Sequence, residues 1–151
     1  MVDSRAKGAR TETVVRDILR KHTGLMWERV PGSGALDPKH KLKGDLYVPD
    51  TPNRYCVEVK GYAEDHLTSQ LLTSKSPQLI DFWKQAFRQG LQIDRKPLLI
   101  FKFDRSKAFV AFDDMPDTDD YRYVYVNIDK HQFWCALLED WLLYERPIFT
   151  T

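Results

Sequence analysis

With 151 residues, 42% of them hydrophobic, the chain is the size of one domain that can bury a real core. No apolar run approaches the roughly 20 residues that span a bilayer, and no signal-peptide apolar stretch stands near Met1. Cys56 and Cys135 are too few for a disulfide framework, so both are expected reduced, in a cytosol. Net charge is only +1, but it is unevenly spread. Residues 1–112 carry 20 Lys/Arg against 13 Asp/Glu, whereas residues 113–151 carry 3 against 9. The first three quarters therefore have the cationic surplus that sequence-independent attraction to nucleic acid requires. Arg5, Lys7 and Arg10, and then Lys39, Lys41 and Lys43, form the two basic clusters closest to the motifs described below.

The first predicted element is a helix over 8–22, with Val15, Ile18 and Leu19 at helical spacing and Gly24 as its stop. Glu12 lies three residues before Val15 and seven before Leu19, on their stripe. Read alone it is an ordinary glutamate of the first turn, favoured by the helix dipole. Met26 to Val30 can form a first strand. Next come Gly44-Asp45-Leu46-Tyr47-Val48 and Tyr55-Cys56-Val57-Glu58-Val59-Lys60, two strands around the turn Pro49 to Arg54. Alternation in the second strand sends Val57 and Val59 to one side and Cys56, Glu58 and Lys60 to the other. A hairpin sets Asp45 beside Glu58 on that polar side. Two carboxylates and a lysine at a sheet edge suit the binding of Mg²⁺ and the activation of water against a phosphodiester.

Ser76 and Pro77 are expected to open a second helix as N-cap and first helical residue, with Leu79, Phe82, Trp83, Ala86 and Phe87 facing the core and Gly90 closing it. Pro97 to Phe103 and Ala108 to Phe112 read as two further strands, and Tyr121 to Ile128 as a last one. Asp129, with Gln132 three residues on, predicts a final helix bearing Phe133, Trp134, Trp141 and Tyr144. Its two apolar faces imply a dimer interface or an added layer over the sheet. The acidic stretch Asp113 to Asp120 reads as a solvated turn. His22, His40, His66 and His131 form no recognisable pair.

An aspartate followed at a distance by Glu-x-Lys on a hydrophobic strand resembles the PD-(D/E)xK nuclease superfamily. Gly8 to Leu19 with its Glu12, and the loop Val30-Pro31-Gly32-Ser33-Gly34, are similar to the opening helix and serine-bearing loop of its archaeal-type Holliday-junction resolvases. The resemblance covers roughly residues 4–112 and departs from the pattern at Gly44, where the superfamily name has proline. It implies an α/β fold with a restriction-endonuclease-like core. A mixed central sheet would be flanked by helices, and the strand and helix after residue 113 would form a C-terminal extension of one domain, 1–151.

It further implies a metal site of Asp45, Glu58 and the Val59 carbonyl, with Glu12 completing that site or a second one. The metal would be Mg²⁺, with Mn²⁺ as a substitute. The catalytic set would be Glu12, Ser33, Asp45, Glu58 and Lys60, and Gln70 stands where some members carry a further polar residue. The substrate would be DNA, as four-way junctions cut by a homodimer. A restriction- or repair-type nuclease and a non-catalytic DNA-binding module are the alternatives. Nothing in the sequence resembles a base-reading module.

Overall fold

The computed structural model describes residues 4–31 and 43–151, and side chains from Lys7 onward. The elements run α1 (Ser4–Thr23), β1 (Glu28–Arg29), β2 (Leu46–Tyr47), β3 (Tyr55–Tyr62), α2 (Gln70–Thr73), α3 (Gln78–Gln92) and β4 (Lys96–Phe103). They continue with β5 (Phe109–Phe112), β6 (Tyr123–Ile128), β7 (His131–Leu137) and α4 (Leu138–Asp140), whose last turn widens to a π-helix over Trp141–Glu145. Among the described residues seven strands join one sheet in the order β1-β2-β3-β4-β5-β7-β6. Only β3 and β4 run parallel, and every other neighbouring pair is antiparallel. Parallel neighbours need a long crossover, and the segment holding α2 and α3 supplies it.

The sheet is covered on both faces. Leu98 and Ile100 of β4 join Val57 and Val59 of β3, Val15 and Leu19 of α1, and Trp141 in one core. Leu99 and Phe101 turn the other way and meet Leu79, Phe82, Trp83 and Ala86 of α3. The central strands are thus buried on alternating residues of both faces, which their near-continuous apolar sequence requires. Burial of this apolar surface is the main force holding the layers together. Near the end of the chain Phe149 packs edge-on to Trp27 at 5.0 Å, and Phe112 stacks on Trp141 at 5.3 Å.

The main departure from the sequence reading is the helix expected from Asp129. Asp129 and Lys130 instead have φ of 50° and 69°, the two left-handed residues of a tight hairpin, and the chain returns as β7. Phe133 and Cys135 enter the α3-side core while Ala136 enters the α1-side core, a period of two rather than 3.6. Because β7 lies inside the sheet between β5 and β6, it is apolar on both faces. The aromatic residues that implied a dimer interface are thus largely consumed by this chain's own core.

Smaller shifts have local causes. Pro77 precedes α3 as its cap residue and Ser76 turns its hydroxyl to the Asp81 carboxylate at 3.4 Å, so Ser76 does not cap the helix. Phe87 is 43% exposed and lies off the core stripe. Gly90 does not end α3, which runs on to Gln92. A Cβ there would stand 2.7 Å from the Arg95 carbonyl oxygen, so glycine provides room for the chain to turn back into β4.

Candidate active site

The site is assembled where β2, β3, α1 and α3 converge. Leu46 pairs with Val57, which sets Asp45 and Glu58 on opposite strands at the same level. The turn between them is held by Asn53, whose side chain accepts from the Val48 N–H and donates to its carbonyl, both at 2.8 Å. Gly44 has φ of 82°, and a Cβ on it would stand 2.5 Å from the Val57 carbonyl oxygen. Proline cannot adopt that φ. The departure at position 44 is therefore dictated by a chain bend that lets the Asp45 N–H bond the Val57 oxygen at 2.7 Å.

Pairing with β2 ends at Val57, and the next N–H on that edge of β3 belongs to Val59. It donates to Asp45 Oδ2 at 2.7 Å. The Val59 carbonyl leaves the extended strand on the same side, so it too faces the Asp45 carboxylate's edge. Glu58 points to the other layer, where α3 covers it to 4% exposure. The polar side expected of β3 is therefore roofed by a helix rather than open. Gln85 Nε2 donates to Glu58 Oε1 at 3.1 Å, and Lys60 Nζ stands 3.5 Å from the same oxygen. The ammonium also lies 5.6 Å from the centre of the Phe82 ring, a cation–π seat. Gln85 escaped the sequence reading. Its signal is a polar residue three positions after Phe82, on the stripe of α3 that otherwise faces the core.

On the other side, α1 approaches β3 where there is no side chain: a Cβ on Gly61 would lie 2.3 Å from Thr11 Oγ1. The following residue, Glu12, is half-buried and forms an ion pair with Arg29 of β1 at 2.9 Å. Its charge acts on Asp45 and raises that carboxyl. The inward placement expected of Glu12 thus leads to the carboxylate site rather than into the apolar core. Burial, then the Glu58 charge and, more weakly, Glu12 push the Asp45 carboxyl up to about 8. Burial also raises Glu58, while Lys60 beside it opposes the rise. Excess negative charge is thus concentrated in a half-dry cleft, an arrangement that costs free energy until a proton or a cation compensates it.

Among the described residues no three His, Cys, Asp or Glu side chains form a ready-made metal cage. The donors present nevertheless fit a hard divalent cation. Mg²⁺ is commonly held by one or two carboxylates and keeps several waters, and Asp45, Glu58 and the Val59 carbonyl are oxygen donors only. Ser33, Lys39 and Lys41 lie outside the described residues, as does the side chain of Arg5. Gln70 is exposed at the start of α2 and takes no part in this cluster. Lys7 pairs with Asp104 at 2.9 Å, and Arg10 is exposed two residues before Glu12 on α1. Lys43 is half-buried two residues before Asp45.

Comparison with known proteins points the same way as the geometry. A family model described as "Phage putative PDDEXK endonuclease" matches residues 3–138. Protein D14 of Escherichia phage T5 is 44% identical over 148 residues, covering 93% of this chain and 92% of that protein. No solved structure matches.

Proposed function

This chain belongs to the phage PDDEXK endonuclease family, and from that premise we propose that it is a Mg²⁺-dependent DNA endonuclease resolving four-way junctions as a homodimer. The observation that carries the catalytic part is the carboxylate pair, half-buried Asp45 opposite buried Glu58, with Lys60 at 3.5 Å from Glu58. Asp45, Glu58 and the Val59 carbonyl would hold the ion, and Glu12 would complete the site or hold a second one. Mn²⁺ would substitute. When bound, the ion supplies an acidified water and neutralises charge on the phosphoryl oxygens.

The protein's own groups prepare the reaction. Gln85 and Lys60 fix the Glu58 carboxylate, and the Val59 N–H fixes Asp45. Lys60, seated on the Phe82 face, would orient the attacking water or contact the scissile phosphate. Ser33 would hydrogen-bond a phosphate from its glycine loop. Arg5, Lys7, Arg10, Lys39, Lys41 and Lys43 would draw the DNA backbone toward the cleft.

The junction reading rests on sequence resemblance at Glu12 on the first helix and at the Gly-Ser-Gly loop. Paired nicks need two active sites, hence a symmetric dimer. The test compares a labelled four-way junction with matched duplex, flap and single-stranded DNA, with and without Mg²⁺. Paired nicks confined to the junction support the proposal. Equal cutting of duplex would replace it with a restriction- or repair-type nuclease, and no cutting of any substrate would replace it with a binding module.

A further inference from the structure

The end of the molecule at which β3 leaves the sheet carries a strip of cations outside the carboxylate cluster. Lys7 and Arg10 lie on adjacent turns of α1. Lys102 lies opposite Gly61, one rung beyond the pairing of Lys60 with Phe101. Leu98 and Ile100 fill the α1-side core, so alternation along β4 places Lys102 on that same side, facing α1. Lys7, Arg10 and Lys102 line a cleft of about 340 Å³ between the helix and the strand end. Arg105 and Lys107, both exposed, extend the strip along the turn between β4 and β5.

That turn is built rigidly. The Asp104 N–H donates to the Tyr62 carbonyl at 2.9 Å, which ties the turn to the end of β3. Ser106 Oγ donates to the Phe103 carbonyl at 2.8 Å and accepts from its N–H at 3.2 Å. Arg105 is held at φ of 63°, a left-handed conformation that an arginine adopts only at a cost. The turn's acid, Asp104, pairs with Lys7 at 2.9 Å.

We propose that Lys102, Arg105 and Lys107 form, with Lys7 and Arg10, a docking strip for the DNA phosphate backbone beside the cleavage site. Asp104 occupies Lys7 until a phosphate takes its place. The strip rests on the endonuclease reading for its choice of DNA as partner. It adds to that reading a rigid second wall, formed by the β4–β5 turn. Each phosphate contact lowers log K by about 0.9 per decade of salt, equivalent to about eightfold in affinity at 0.1 M salt.

The experiment is fluorescence anisotropy of labelled junction and duplex across 50–300 mM salt in EDTA, with cleavage in Mg²⁺ measured separately. The double variant Lys102→Gln/Arg105→Gln should bind about 60-fold more weakly at 0.1 M salt, with the slope smaller by about 2. Asp104→Asn should tighten binding several-fold and steepen the slope by about 1. Arg54→Gln, an exposed control at the opposite end of β3, should change neither. Wild-type protein that binds and cuts DNA, beside a double variant within twofold of it and of equal slope, would overturn the strip alone. Wild-type protein that cuts no DNA would sink the endonuclease reading, and the binding data would then judge the strip by themselves.

Discussion

Replacing Asp45 by Asn should stabilise the divalent-free protein at pH 8 and remove its thermal response to Mg²⁺. Burial, with the Glu58 charge behind it, moves the Asp45 carboxyl from 3.8 to about 8. The folded state therefore keeps a proton that the unfolded chain releases near pH 4. Its contribution to stability is complete below about pH 4 and is lost as pH climbs through about 8. At 1.36 kcal/mol per unit, four units amount to on the order of 5 kcal/mol for an isolated group. Glu58 opposite it is raised as well, with Lys60 opposing that rise, so about half of that, 2–3 kcal/mol, is expected at Asp45.

A domain of this size gains about 2–4 °C per kcal/mol, so Asn should raise Tm by about 5–10 °C at pH 8 in EDTA and leave it nearly unchanged at pH 4. The amide oxygen can still accept from the Val59 N–H, so the local geometry is kept. Wild-type protein should regain about 2.7 kcal/mol when Mg²⁺ is a hundredfold above its dissociation constant, and the variant should not. Thermal melts at pH 4, 6 and 8, in EDTA and in Mg²⁺, read both effects. A variant that melts below wild type at pH 8 in EDTA, or that gains equally from Mg²⁺, would show that Asp45 does not have this role.

Three other substitutions probe the supports of the site. Gly44→Ala brings a Cβ within 2.5 Å of the Val57 oxygen at φ of 82°, so urea unfolding should show a loss of about 2–4 kcal/mol. Gln85→Leu removes the donor that holds Glu58 at 3.1 Å, which should raise that carboxyl further. Cleavage should fall about tenfold, a barrier increase of about 1.4 kcal/mol, and its rising pH limb should move to higher pH. Trp141→Ala should cost about 3–5 kcal/mol by emptying the space between Phe112 and Phe149 while leaving the carboxylates in place. A melting drop below about 5 °C there would contradict its place in the core.

The hairpin of β2 and β3 was legible because its signals are local. Period two along Tyr55 to Lys60 assigns the faces, and the turn Pro49 to Arg54 aligns Asp45 with Glu58. α1 and α3 were legible for the same reason, through apolar residues at helical spacing. Asp129 to Leu137 misled because Asp129 with Gln132 is a cap signature, whereas positive φ at Asp129 and Lys130 is a property of the folded hairpin. The two-faced apolarity that followed is what an interior strand needs, and a helix with two apolar faces looks similar in sequence. Gln85 and Arg29 were hidden for another reason. Each reaches its carboxylate, Glu58 or Glu12, across the tertiary fold, from 27 and 17 residues away. Gly44 looked like a departure from the motif and is a steric requirement of the bend before Asp45.

The Asp45, Glu58 and Lys60 cluster is proposed to cut DNA. Its most direct test measures nicking of a labelled four-way junction and its matched duplex by wild type, Glu58→Gln and Lys60→Ala, in Mg²⁺ and in EDTA. Wild type should cut in Mg²⁺ only, with at least a hundredfold loss in both variants, about 2.7 kcal/mol of barrier, and each variant still folded. Variants that cut at the wild-type rate, or a wild-type chain equally active in EDTA, would contradict it.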